Sequence, residues 1–528
     1  MPIAPATQPN EPQVLVVGAG PTGLVLAIWL THLGVRVRII DKTAGPGTTS
    51  RALGVHARTL EFYRQLGFAD EVVADGIRAA GVNLWVKGSR AARLPLGQMG
   101  EGQTAFPFLL IYPQDEHEKL LVRKLADVGV RVERSTELLH FELTSDGVRA
   151  TLRLPDGSQE PAGAAYIAGC DGASSTVRQT LTTGFPGGTY SHIFYVADVE
   201  ASGPPTDNEV HVDLEQADFL AVFPLTSKGH VRVIGTVRDD LAGQRGTLKF
   251  DDVRSQALTR LKLEVSKENW FSTYRVHHRV ARQFREGRAF LLGDAAHLHS
   301  PVGAQGMNTG IGDAVNLSWK LAAALNGAAP DAILDTYERE RIAFARRLVS
   351  TTDRIFTLVS SRGALAGRIR TMLAPFILPR IIGVTRFRRA LFRMLSQIGI
   401  HYRRSPLSTG SAGAVRGGDR LPWVGMPGGT DNHASLTGLL WSAHVYGEAP
   451  PGIQAACGEL NLRFHQFAWH AGMRDAGFVS GGLYLVRPDG YVAMAETGCS
   501  PERLRGYFRE HVLSVPVPVV LAVGRPTE

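Results

Sequence analysis

The chain has 528 residues, 44% of them hydrophobic and 20% charged, and 57 Lys and Arg against 49 Asp and Glu give a formal net charge of +8. One hydrophobic core cannot serve that length, so roughly two to four domains are expected, and the apolar fraction excludes a disordered chain. Cys170, Cys457 and Cys499 stand at unrelated spacings, which excludes a disulfide framework and fits a reducing compartment. The first dozen residues are Pro-rich and polar without an apolar segment, and no apolar run reaches membrane-spanning length. The expectation is a cytoplasmic protein with no signal peptide and no transmembrane segment.

In chain order, Val14–Val17 is an apolar strand that runs into Gly18-Ala19-Gly20-Pro21-Thr22-Gly23. A helix over Leu24–Leu33 and a second strand, Val35–Ile40, follow, and Asp41 ends that strand eighteen residues past Gly23. Strand, glycine turn, helix, strand and acid together make the dinucleotide fingerprint in its required context. Ala164–Cys170 reads as a buried strand, and Asp171-Gly172 with Arg178 follows it, which by itself is an ordinary turn. Glu209–Leu214, Phe219–Pro224 and His230–Val237 alternate with period two, as in a sheet with one face packed and the other free to roof a cavity.

Residues 288–320 carry the next signal. A short apolar strand ends in Gly293–Asp294, a loop rich in Gly and Pro follows, and a helix is expected to open near Gly310–Asp313. A carboxylate at a strand's carboxyl end suits polyol hydroxyls. A helix start behind it suits an extended, phosphate-bearing cofactor whose redox ring turns anionic on reduction. Further on, no Asp or Glu occurs between Asp353 and Asp419, whereas twelve arginines do, including Arg362, Arg368, Arg370, Arg380, Arg386, Arg389 and Arg404. That stretch reads as a linker helix with arginines in solvent, with a basic amphipathic surface for an anionic membrane as the alternative. No nucleic-acid-binding module accompanies it.

The order and spacing of these three motifs resemble the class A, single-component flavoprotein monooxygenases of the para-hydroxybenzoate hydroxylase type. The chain is most similar to the branch of phenol, pentachlorophenol and aromatic polyketide hydroxylases. The resemblance implies an α/β fold: a Rossmann-like FAD-binding domain (1–80, 105–185 and 285–350) with an inserted β-sheet substrate domain (80–105 and 185–285). It further implies a helical linker (350–411) and a C-terminal thioredoxin-like domain (412–528), entered at Gly418-Asp419-Arg420-Leu421-Pro422 and carrying a late hairpin that turns at Asp489–Gly490. No Cys-x-x-Cys is present, so that domain reads as structural or interfacial rather than redox-active. Non-covalent FAD is implied, with NADPH or NADH as a transient reductant. The residues implied to hold FAD are Gly18, Gly20, Gly23, Asp41, Lys42, Arg51, Gln114, Gly293, Asp294, Pro301, Gly306, Met307 and Asn308, while Asp171, Gly172 and Arg178 are implied in both FAD and NAD(P)H handling.

The activity implied is hydroxylation of a phenolic or polycyclic aromatic substrate with molecular oxygen through a flavin C4a-hydroperoxide. Such chemistry needs position, dryness and help with phenol deprotonation, and no metal. His299 and Pro301 are the candidate catalytic residues, with His299 as a proton relay or a satisfied loop histidine. His297 reads as structural and Tyr112 as a core tyrosine. His297-x-His299 has no cysteine partner near it, which argues against zinc. A halogenase would need a Trp-x-Trp-x-Ile-Pro signature that the chain lacks. A non-hydroxylating FAD oxidoreductase or a redox-inactive flavin-binding protein remains the alternative, and a homodimer is possible from the resemblance.

Overall fold

The structure is a computed structural model, and it describes residues 11–47, 52–213, 220–226, 229–237, 248–253, 256–300, 303–360 and 384–516. Arg51, Pro301, Arg362, Arg368, Arg370 and Arg380, singled out above, lie outside the described residues. No helix among the described residues is long and apolar enough to cross a membrane.

Four parallel strands place the motifs side by side. Val14–Val17 pairs in parallel with Tyr166–Gly169 on one side and with Val37–Ile40 on the other. Ala289–Leu291 then adds in parallel to Tyr166–Gly169. All these strands are mainly Val, Ile, Leu and Ala and mostly buried, as a sheet covered on both faces requires. Their carboxyl ends therefore bring Gly18, Asp41, Asp171 and Gly293 to one edge, where open α/β sheets bind ligands. The helix Pro21–His32 crosses behind, apolar nearly all round and buried from Leu24 to Leu30.

An eight-stranded, mostly antiparallel sheet adjoins this edge, with the long strands Glu264–Val280 and Gly187–Ser202 second and third from one side. Gly81–Val86 and Ser89–Pro95 complete its far side. One face packs Tyr195, Val222 and Val233 against short helices at Phe250–Val253 and Gln256–Arg260. The other gathers Phe194, Ile234, Tyr274 and Val276 with Leu53 and Ile111. The two-residue strand His297–Leu298 pairs with Arg279–Val280, so the loop after Gly293–Asp294 belongs to this sheet's edge.

A third, six-stranded mixed sheet closes the chain, built from residues 409 to 497. It docks through buried charge. Arg487 donates to both carboxylate oxygens of Glu340 at 2.8 and 3.1 Å and to Asp489 at 3.0 Å. Glu340 also accepts from Lys320, Asn316 and Ser405, while the Trp319 indole donates to Asp489. Nearby, Arg420 pairs with Glu61, and Arg58 donates to Glu61 and to the Asp489 carbonyl. The expected Asp489–Gly490 turn is thus present between Gly482–Val486 and Val492–Thr497, but its Asp is buried in an ion network rather than exposed.

Burial disfavours ionised Glu340, but Arg487 and Lys320 outweigh it and hold the carboxyl well below the usual range. Its stabilising contribution is complete above about pH 4.3 and is lost as pH falls below that. Glu340→Ala leaves two buried cations without their shared counter-charge. It should lower stability by about 3–5 kcal/mol, measured as the urea midpoint at pH 7, and an unchanged midpoint contradicts the assignment.

Candidate active site

The glycine turn after Val17 is shaped by close approach on two sides and openness on the third. A Cβ on Gly23 would sit 1.9 Å from the Gly18 carbonyl oxygen, whereas one on Gly20 meets no heavy atom of the described residues within 4 Å. Gly20 therefore fronts empty space at the start of the helix Pro21–His32. That helix opens with no side-chain cap and no acid in its first turn, leaving its first N–H groups for a ligand.

A second uncapped helix start faces the same space. The helix expected to open near Gly310 begins at Gln305 and runs to Leu325, again with no acid in its first turn. The correction has a packing cause. Glycine at 310 serves the approach of two helices, because a Cβ there would lie 2.2 Å from Thr22 Oγ1 and 3.1 Å from the Gly293 Cα. Ala304, just before the helix, takes a left-handed φ of +53°, a conformation costing about 1–3 kcal/mol that persists only when neighbours enforce it. His56 is one such neighbour: its buried ring is bonded to the Ala304 carbonyl at 3.0 Å, and burial drives its pKa down to about 4.

Both helix starts, Asp294 and Gly172 line one continuous cavity of about 540 Å³. Asp294 itself is exposed at its turn. The turn is fixed from below by Asp313, which accepts from the Gly293 N–H at 3.0 Å, from His297 Nε2 at 2.7 Å and from Arg341 Nε at 2.6 Å. Burial opposes the charge on Asp313, but Arg341 and His297 hold it ionised. His297 is thus held by an acid sixteen residues on.

The remaining candidates divide by what their side chains already touch. Asp41 accepts from the Ala19 N–H at 2.6 Å and from the Thr43 backbone and hydroxyl, so its carboxylate braces the glycine turn, and Lys42 beside it is exposed. Gln114 lines the cavity while donating to Glu118, which accepts in turn from Gly47. Asp171 accepts from the Val177 N–H, and burial raises its pKa. Arg178 donates to the carbonyls of Ala173 and Ala295 and stacks on Phe185, tying the Asp171–Gly172 turn to the Gly293–Asp294 turn. Asn308 spends its whole amide on His56, Thr59, Gly54 and Ala304, whereas Gly306 and Met307 line the cavity. Tyr112 is buried.

Phe223, Ile234, Tyr274 and Val276 of the antiparallel sheet roof the cavity, with Arg275 and His277 beside them. His299 stands between roof and floor. Its Nδ1 is 2.7 Å from the Ser300 carbonyl, which can only accept, so Nδ1 carries the proton in the neutral ring. Its Nε2 then presents a lone pair, and it is buried with no hydrogen-bond partner among the described residues. Burial is the chief cause that lowers the ring to about 4, with the neighbouring His297 also acting downward.

The cavity fits FAD by its own donors. Two uncapped helix starts supply positive potential, one where a diphosphate would rest on Gly20 and one beside a ring that becomes anionic on reduction. Asp294 suits hydroxyls of a connecting polyol. His56, Asp313, Arg341 and Glu340 were not singled out in sequence, since only their distant partners show what they do.

Residues 11–352 match a family described as the FAD binding domain. The chain is 34% identical over 517 residues to 6-methylpretetramide 4-monooxygenase of Streptomyces rimosus, covering 92% of this chain and 90% of that one. It is 32% identical over 387 residues to pentachlorophenol 4-monooxygenase of Sphingobium chlorophenolicum, covering 71% and 70%. Among solved structures, an anhydrotetracycline hydroxylase from Streptomyces rimosus superposes with a TM-score of 0.75 at 28% identity, over 94% of this chain and 98% of that one. Aklavinone-11 hydroxylase in its complex with FAD and aklavinone gives 0.75 at 26% identity, over 96% and 100%.

Because burial keeps His299 neutral until about pH 4, its imidazole nitrogen resonances should hold the Nδ1–H form from pH 8 to pH 5. An NMR titration with a midpoint near the ordinary histidine value of about 6.5 contradicts this environment.

Proposed function

The chain belongs to the FAD-binding family of flavin-dependent aromatic monooxygenases, and from that premise we propose that it hydroxylates a polycyclic phenol. The observation that carries this reading is the single cavity shared by Gly20, Asp294 and the apolar roof of Phe223, Ile234, Tyr274 and Val276. Relatives matching over most of their length act on fused-ring substrates by name, 6-methylpretetramide and anhydrotetracycline among them.

FAD, when bound, accepts the hydride of a reduced pyridine nucleotide and activates oxygen. The protein's share is position, dryness and charge. Thr22 and Gly23 offer backbone N–H groups to the diphosphate, and Gly172 leaves the room that a side chain would fill. Asp294 takes the polyol hydroxyls. The N–H groups of Gly306 and Met307 hold negative charge at the ring without reorganising, because Ala304 and His56 fix the helix start beforehand. Arg178 and Asp313 act one step back by fixing the two turns.

On the substrate side, His299 Nε2 is the proton acceptor. Its lone pair faces a buried space in which a phenolic hydroxyl is a suitable partner. A ring of such low pKa does not retain the proton, so it serves as a relay rather than a store. The apolar roof excludes water and stacks on a flat ring system.

Two outcomes test this. The protein as purified should be yellow, and a polycyclic phenol should stimulate NADPH oxidation with a product gain of one oxygen atom by mass. Oxidation without oxygen in the product overturns the hydroxylase assignment. A Cβ at Gly20 meets no heavy atom of the described residues within 4 Å, so Gly20→Leu, checked for an unchanged thermal midpoint, should weaken FAD binding by about ten- to a hundredfold by filling the space where the diphosphate would make its charge-assisted bonds. Unchanged flavin affinity in that variant removes Gly20 from the site.

A further inference from the structure

We propose that an arginine-lined cleft behind the flavin loop binds the phosphates of the reduced pyridine nucleotide. The cleft lies between the helices Asp335–Ser360 and Thr385–Leu395 and the loop 397–405, and encloses about 890 Å³. The proposal rests on the monooxygenase reading, because it gives that reaction's reductant a place.

Six exposed arginines face this space: Arg339, Arg347, Arg386, Arg389, Arg393 and Arg404. Among the described residues none of the six has a carboxylate partner. Arg393 donates to the Gln103 side-chain oxygen, and the neighbouring Arg403 pairs with an acid, Asp419. Among the described residues the only carboxylate lining the cleft is Glu340, already shared by Arg487, Lys320, Asn316 and Ser405. The sequence itself brings no relief, since no Asp or Glu occurs between Asp353 and Asp419. Burial, then Arg403 and Arg347, pushes His401 below its ordinary value.

A row of arginines on one helix face is normally a solvated surface. These stand on facing walls, so their charges add across a concavity and call for a polyanion. Guanidinium forks match phosphate oxygens two at a time. Phe344, Leu348 and Met394 add an apolar surface on which a nucleobase can lie, and the volume is that of a small-molecule site. The last observation is continuity. Gln305 lines both this cleft and the flavin cavity, where its side chain is held by the Leu395 carbonyl and by Gln397. A dinucleotide with its phosphates among the arginines therefore abuts the start of the helix beside the flavin ring.

The test uses the full-length flavoprotein and the double variant Arg386→Ala/Arg389→Ala, after checking that flavin content and thermal midpoint are unchanged. Titration calorimetry with 2′,5′-ADP should give binding to the parent and at least about tenfold weaker binding to the variant, as expected for lost charge-assisted contacts. The KM for NADPH should rise by a similar factor while kcat stays within about twofold, and Arg386→Lys/Arg389→Lys should recover part of the loss. Equal 2′,5′-ADP affinity in parent and variant overturns the cleft. So does a variant that loses binding to phosphatidylglycerol vesicles while keeping its NADPH KM, because the arginines then face a membrane. If 2′,5′-ADP binds as expected but no phenol yields an oxygenated product, the hydroxylase reading fails and the cleft stands.

Discussion

The site depends on one buried carboxylate. Asp313 holds the backbone of Gly293, the ring of His297 and the guanidinium of Arg341 at once. Through Gly293 it sets the turn that presents Asp294. Through His297 it sets the edge strand that pairs with the antiparallel sheet, and so the height of the roof. Arg341 carries the constraint outward to the Tyr402 hydroxyl and the Thr309 carbonyl. Removing one partner from such a buried cluster costs about 3–5 kcal/mol, more than any single surface contact contributes. Floor and roof of the cavity are therefore positioned by the same group.

The C-terminal sheet answers to the same logic at a second centre. Glu340 is adjacent to Arg341 in sequence but turns to the other side, toward Arg487, Lys320 and Asn316. One helix thus braces the flavin turn with one residue and anchors the last sheet with the next. With Arg487 and Glu340 both fully buried, this sheet is part of the scaffold on which the cavity is built. A dithiol there is not needed for that role.

Much of the site was legible because its signals are local. Gly18 to Gly23 and Gly293–Asp294 sit directly after apolar strands, so strand, turn and helix could be read within thirty residues. What stayed hidden depends on distant partners. Asp313 looks like any helical acid until His297, Arg341 and Gly293 surround it. Glu61 gives no hint in sequence of Arg420, 359 positions away. Local reading also misplaced the start of the helix Gln305–Leu325, because Gly306 and Gly310 suggest a loop, whereas close packing against Thr22 and Gly293 demands a residue without Cβ inside a helix. Asn308 and Asp41 lie where a cofactor contact is expected, yet their side-chain groups are largely taken up by the protein itself.

The central claim is that the elbow at Gly20 and the turn at Asp294 hold opposite halves of one extended FAD. Diffraction from crystals grown with FAD tests it most directly. The account predicts density for the diphosphate against the backbone of Pro21 to Gly23 and for the ribityl hydroxyls within hydrogen-bond reach of Asp294. Flavin density that leaves either place to solvent contradicts it.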